Sequence, residues 1–341
     1  MNYCGIDLAS KASALCIMDA QGEIIEEYEI PTDEDGIRAR MGKTPTLRCV
    51  IEASPLAEWM ARQVERYGHE ARIIDPRRAK AVLCTKKKTD RINARDLAQM
   101  GRTGWYTEVH RKSEPARLLR TYLGAHAGLK ETAKAQNARV RGLLRAHGIK
   151  VGKVSEKEFA PRIRELVKVR APRLTVIVEP LLRVWRQAVD EAQAMKKIIA
   201  AMAKAEPLCQ LLMSAPGVGP LTASAYVATI DDPHRFRRSE QVGAYVGIVP
   251  RIYQSGDTAY LGRITKEGDR LLRWLLVEAA HCLLTHTKKD CTLKRWGLQL
   301  QARKGAGKAK VAVARKLAVI LHRMWVDGSD FQWGKAQEAA A

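Results

Sequence analysis

The chain has 341 residues, 46% of them hydrophobic, and a formal net charge of +22. That length exceeds one ordinary domain, and the hydrophobic share suffices for a packed core, which excludes a disordered chain. Charge this positive suits a polyanionic partner, nucleic acid above all, and no apolar run reaches the ~18 residues of a membrane span.

Residues 3–6 read as a short strand ending at Asp7. Residues 12–18, before the turn at 19–22, read as its hairpin partner, and 24–30 as a third strand by alternation. Thr32, followed by acidic residues at 33 to 35, predicts a helix start. Residues 47–51 form a buried strand that ends at Glu52. Helical spacing returns at Leu56, Trp59, Met60 and Val64, and 71–74 is a fifth strand stopped by Asp75-Pro76. The pattern predicts an α/β unit with a mixed sheet over residues 1–110. From 111 to 205 strands disappear. Leu181, Trp185, Ala188, Ala192, Met195, Ile199 and Met202 step by four and three. Such a seam predicts a coiled-coil contact, within or between chains, with an ordinary bundle helix as the alternative. Lys130, Lys134, Arg139, Arg141 and Arg145 make part of this helical connector basic. A third, mainly α region spans 206–335. It carries the turn Ala215-Pro216-Gly217-Val218-Gly219-Pro220, a helix from Leu221, a strand-like 243–249, and apolar helices around 271–284 and 311–324. His281 and the tryptophans read as structural residues.

Charge is uneven along the chain: residues 1–70 carry a net −6, leaving +28 for the rest. An acidic head on a basic body suggests carboxylates that hold cations beside a surface that grips phosphates. The seven cysteines are scattered, with no C-x-x-C, and the histidines form no metal-spaced pair, which argues against a zinc ribbon. The N-terminus shows no basic-then-apolar leader, and the expected compartment is the cytoplasm.

Asp7 and Glu52 lie at the ends of predicted strands. Asp90 opens a predicted helix after Lys86-Lys87-Lys88-Thr89, and Asn93 follows one turn later on the same face. Three carboxylates and an amide oxygen from the ends of core elements suit one or two Mg2+ ions, with Mn2+ able to substitute. Two such ions clamp the attacking and leaving oxygens of an in-line phosphoryl displacement. Taken singly, each residue also has a bland reading; Asp90 could cap its helix. A strand leading into Gly5-Ile6-Asp7 also suits actin-like sugar and acetate kinases, but no later Gly-rich phosphate loop supports that rival.

The set Gly5-Ile6-Asp7, Val50-Ile51-Glu52-Ala53 and Lys88-Thr89-Asp90-Arg91-Ile92-Asn93-Ala94 resembles the N-terminal domain of the DEDD transposases of bacterial insertion sequences. The resemblance implies an RNase-H-like fold of the kind found in the Holliday-junction resolvase RuvC. The family's four acidic positions fall on Asp7, Glu52, Asp90 and Asn93, the last a departure that removes a charge. Asp96, about 120° around the helix from Asp90, does not replace it.

Pro216-Gly217-Val218-Gly219-Pro220 looks like the turn of a helix-hairpin-helix, with the backbone at Gly217 and Gly219 set to meet a DNA phosphate; a plain Gly-rich turn is the alternative. The longer stretch from Leu212 to Ala223, then Gly243-Ala244-Tyr245-Val246-Gly247-Ile248-Val249-Pro250, Gln254-Ser255-Gly256, Gly262-Arg263-Ile264 and Gly268-Asp269-Arg270, resembles the C-terminal transposase domain of the same family. On its own residues Ser255 reads as part of a turn; the resemblance implies that it is the nucleophile, assisted by the metal site. Arg251, Arg263, Arg270 and Arg273, with Lys86, Lys87 and Lys88, are candidate nucleic-acid contacts. The resemblance further implies donor and target DNA as partners, a non-coding bridge RNA as guide, and a homo-oligomer, dimer or tetramer. Two other classes stay open: a metal-dependent junction nuclease in which water attacks, and a non-catalytic DNA-binding relic.

Overall fold

The computed structural model describes residues 1–75, 89–255 and 258–334, with the side chains of Ser255 and Ala259 outside that description. The chain divides into two compact units, Met1–Lys112 and Ser113–Ala341.

The first unit is built on a five-stranded mixed sheet. Strands β1 (Asn2–Asp7), β2 (Ala12–Met18), β3 (Ile24–Pro31), β4 (Leu47–Glu52) and β5 (Glu70–Ile74) lie in the order β3-β2-β1-β4-β5. Neighbours β1, β2 and β3 pair antiparallel, while β1–β4 and β4–β5 pair parallel. The two hairpin connections need only tight turns, and the parallel pairs need helical crossovers. Helices α1 (Glu34–Met41) and α2 (Ala57–Arg66) cover one face. There Cys4, Ile6, Cys49 and Ile51 are buried with Ile37, Met41, Met60 and Val64. Helix α3 (Asp90–Thr103) covers the other, where Val50 packs with Leu97 and Met100.

Two details differ from the sequence reading. The cap of α1 is Asp33, whose side chain accepts from the Gly36 backbone N–H; Thr32 instead bonds the Ala9 carbonyl and the Ser13 hydroxyl. Strand β3 is an edge strand with Ile24 and Ile25 exposed, so the alternation seen there does not mark a two-sided core.

The second unit is helical apart from one hairpin. Long helices α4 (Glu114–Ala146) and α6 (Thr175–Ala205) pack along each other, with α5 (Glu156–Arg170) between them in sequence. Of the seam, Trp185 and Ala188 are buried in one cluster with Val140 and Leu144 of α4, and Ala192 is also buried. Ile199 is buried in another with Leu123. Trp185, Ala188, Ala192 and Ile199 of the seam are therefore buried within the chain.

The remainder is built from α7 (Pro207–Met213), α8 (Pro220–Ile230), α9 (Gln241–Tyr245), the hairpin β6 (Pro250–Ser255) and β7 (Thr258–Ile264), α10 (Arg270–Thr285), α11 (Thr292–Lys304) and α12 (Ala306–Asp327). Tyr226 on α8 is wholly buried, and its hydroxyl donates to the Ala318 carbonyl of α12 at 2.7 Å. That bond satisfies a phenol that would otherwise be costly to bury.

The expected strand at 243–249 is wrong. Residues Gln241–Tyr245 form a short helix, and Gly247 turns the chain with φ +76° before β6 starts at Pro250. A short apolar run does not distinguish the two by periodicity. The tryptophans are not all core: Trp185 is buried, while Trp105 and Trp274 are 70% and 56% exposed. Among the described residues, no helix is long and apolar enough to cross a membrane.

Candidate active site

The parallel register of β1 and β4 runs through Gly5↔Val50 and Ile6↔Ile51, so the next residues on the two strands are Asp7 and Glu52. Side chains alternate across a strand. Asp7 therefore continues the row of Gly5, and Glu52 the row of Val50, on the face that α3 covers. Two carboxylates thus leave the same end of the two central parallel strands.

Helix α3 supplies the rest. Thr89 caps it, accepting from the Ile92 N–H at 3.3 Å, so Asp90 occupies the first helical position, where the helix dipole favours negative charge. Asn93, one turn on, donates its amide N–H to Asp7 Oδ2 at 3.1 Å. Burial pushes the Asp7 carboxyl above its ordinary pKa; the Asn93 bond pulls it back, and the charge of Asp90 pushes it up again. Asp7, Asp90 and Asn93 are thus brought together, and Glu52 ends the neighbouring strand. Among the described residues no three His, Cys, Asp or Glu side chains converge tightly enough to hold an ion. The donor set itself fits a hard divalent cation: all its ligating atoms are oxygens, and two of its carboxylates repel one another.

Ser255 is the last residue of β6, paired with Thr258 across the hairpin. On the same hairpin the rings of Tyr253 and Tyr260 stack at 4.8 Å, and Ile252 and Leu261, opposite one another, are exposed. The hairpin base is a backbone knot. A Cβ on Gly247 would lie 1.9 Å from the Glu267 carbonyl oxygen, and one on Gly268 2.0 Å from that of Tyr245. Both glycines have positive φ, so only glycine meets the two demands at once. Arg273 closes the knot, donating to the Val246 and Glu267 carbonyls at 2.9 and 3.2 Å. Arg251 donates to the Thr265 carbonyl, while Arg263 and Arg270 are exposed. In the turn between α7 and α8, Gly217 has φ +79°, and a Cβ there would strike the Ala279 carbonyl oxygen of α10 at 2.2 Å; Gly219 faces open space. Gly217 is thus fixed by packing. Lys86, Lys87 and Lys88 lie outside the described residues.

Comparison with known proteins bears on this arrangement in both units. A transposase family model of the DEDD type, named for IS110, matches residues 4–149, and the model described as the IS116/IS110/IS902 transposase family matches residues 209–294. The chain belongs to the DEDD transposase family of bacterial insertion sequences. It is 29% identical over 326 residues to the transposase for insertion sequence element IS1111A of Coxiella burnetii, covering 93% of this chain and 87% of that one. A probable family 20 transposase of Pseudomonas aeruginosa is 27% identical, covering 93% and 94%. The transposase for insertion sequence element IS1328 of Yersinia enterocolitica is 24% identical, covering 83% and 85%.

Two residues that position the acidic cluster of this transposase escaped the sequence reading. A Cβ on Gly5 would lie 1.9 Å from the Ala94 carbonyl oxygen and 2.4 Å from the Ala98 nitrogen, so β1 and α3 touch backbone to backbone. The small residues Ala94, Ala98 and Gly101, at helical spacing, were the available signal. Glu27 on β3 accepts from Arg91 Nε and Arg95 Nη2, each at 2.7 Å, and so ties the first turns of α3 to the sheet edge. No sequence pattern pairs these residues.

The Arg95 and Arg91 guanidiniums hold the Glu27 carboxyl at about 2, below its ordinary 4.5. A carboxylate depressed on folding contributes stability that is fully present above the unfolded value and lost as pH falls through the folded one. Glu27→Gln is therefore expected to lower the Tm at pH 7 and to flatten its decline between about pH 4.5 and 2. Thermal melts of both proteins across that range check it; parallel declines would refute the tie.

Proposed function

We propose that this transposase exchanges DNA strands through a covalent serine–DNA intermediate, with Asp7, Glu52, Asp90 and Asn93 as its cation site and Ser255 as its nucleophile. The observation that carries the acidic half is the junction of Asp7 with Asn93 and Asp90 at the ends of β1 and α3. The strand order β3-β2-β1-β4-β5, antiparallel on one side of β1 and parallel on the other, supports an RNase-H-like reading of the region 1–110. A connector over 111–205 and a C-terminal transposase domain over 206–335 complete the proposed organisation.

Magnesium or manganese held by those oxygens would neutralise charge building on a phosphate and help ionise an attacking hydroxyl. Asn93 keeps one acid position uncharged, and its N–H orients the Asp7 carboxylate. The Ser255 oxygen attacks phosphorus, and the bond from phosphorus to the leaving strand breaks, the departing oxygen taking up a proton. A hydroxyl of the incoming strand then displaces serine, whose oxygen recovers its proton. One phosphodiester is exchanged for another, so no external energy source is needed. Ser is weakly nucleophilic without such help.

The net +28 beyond residue 70 supports a nucleic-acid surface, and we assign to it donor and target DNA and a guiding bridge RNA. A homo-oligomeric working unit belongs to the same reading.

The test is a protein–DNA adduct that survives denaturant. Wild type is expected to form it on insertion-end DNA, and Ser255→Ala to lose it entirely. Cleavage by Ser255→Ala at the wild-type rate, without adduct in either protein, would assign the chemistry to water and make the chain a junction nuclease.

A further inference from the structure

The end of α4 and the loop after it enclose a second basic feature, separate from the acidic cluster. We propose that the pocket lined by Arg141, Arg145 and Lys150 anchors a backbone phosphate of duplex DNA.

The pocket has a volume of about 370 Å3 and is completed by Ile149, Val151 and Gly152. Local sequence builds it. Gly148 and Gly152 both adopt positive φ, which lets the chain double back after α4. Between them Ile149 and Val151 are buried, so alternation turns Lys150 outward. Arg141 is held before any ligand arrives. Its Nε donates to Asn137 Oδ1 at 2.8 Å, its Nη1 to the Gly152 carbonyl at 2.7 Å, and its guanidinium lies over the Phe159 ring. A guanidinium fixed in this way loses little freedom on binding an anion, and the fork of an arginine suits phosphate oxygens.

The charge is uncompensated. Residues 132–155 contain six Lys and Arg and no Asp or Glu. The next carboxylates are engaged elsewhere: Glu156 faces Lys130 at 3.6 Å, and Glu158 is bound in the capping box of Ser155. Among the described residues no ion pair is formed by Arg141, Arg145 or Lys150. Three cations around a concave site with no acid to neutralise them favour an anion, and a phosphodiester is the one that a transposase meets.

The proposal rests on the reading of this chain as DNA-acting, so binding is measured apart from chemistry. Full-length protein is titrated against a labelled 30-base-pair DNA duplex in EDTA, over a range of KCl, by fluorescence anisotropy. Arg145→Gln combined with Lys150→Gln, both exposed positions, is compared with Lys196→Gln combined with Lys197→Gln on α6. The pocket variant is expected to bind about tenfold more weakly at fixed salt. Its slope of log affinity against log salt is expected to fall by about 1, the value for one lost phosphate contact. The α6 variant is expected to keep the wild-type slope. An unchanged slope in the pocket variant, or an equal loss in both, overturns the proposal. So does a loss confined to an RNA duplex of the same length, which would make the occupant RNA. A wild type that binds neither duplex would count against the DNA-acting reading itself, and the pocket falls with it.

Discussion

Gly5→Ala is expected to disable the first unit, although Gly5 carries no chemistry. The added methyl would meet the backbone of α3 at Ala94 and Ala98 at 1.9 and 2.4 Å. Backbone cannot swing aside as a side-chain tip can, so helix and strand must part. Overpacking of a tight core costs about 1–3 kcal/mol, and a clash with fixed backbone belongs at the upper end or beyond. For a unit of this size that corresponds to a fall in Tm of about 10–20 °C. The helix that moves is the one bearing Asp90 and Asn93, so strand exchange should fail even below the new melting point. Thermal melts and a single-turnover assay at low temperature read the two consequences separately. A variant with wild-type Tm and rate would show that the close approach of β1 and α3 is not required.

The second large effect is chemical. Asp7→Ala removes the carboxylate on which the Asn93 bond and the Asp90 charge both converge. Its burial is partial and raises its pKa, so relief of a half-buried charge offsets loss of the Asn93 bond, and melts should be close to wild type. Stabilisation of charge on a reacting phosphate by a held cation is worth several kcal/mol, and about 1.4 kcal/mol corresponds to a decade in rate. Strand exchange is therefore expected to drop about a thousandfold or more in Asp7→Ala. Retention of more than a tenth of the wild-type rate in a folded variant would contradict the role given to Asp7. It would also favour the reading of the chain as a DNA-binding protein with its acids incidental to binding.

Much of the first unit was legible because its signals are local. Alternating strands, the turn at 19–22 and the acid-rich start of α1 each express a preference that the fold keeps. The ends of β1 and β4 were equally plain, which is why Asp7 and Glu52 stood out as strand-terminal carboxylates. Gly5 was passed over because its importance lies in the distance between two backbones that are far apart in sequence. Glu27 was passed over for a similar reason: its partners Arg91 and Arg95 lie more than sixty residues away. In the second unit, the run from Gly243 to Val249 looked like a strand because its composition is apolar. The two knotted glycines, Gly247 and Gly268, decide otherwise, since each is needed by the other's loop. The hairpin of β6 and β7 had a usable sequence signal in Gly256-Asp257, a pair of the type that commonly links two strands.

The claim on which the mechanism stands is that the acids at the ends of β1, β4 and α3 bind one divalent cation together. The direct measurement is an anomalous difference map at the manganese edge, from crystals grown in MnCl2. The account expects a peak shared by the oxygens of Asp7, Glu52 and Asp90, and its disappearance in Asp7→Ala. Crystals in which manganese sits elsewhere, or in which the Asp7→Ala variant keeps the peak unchanged, would contradict it.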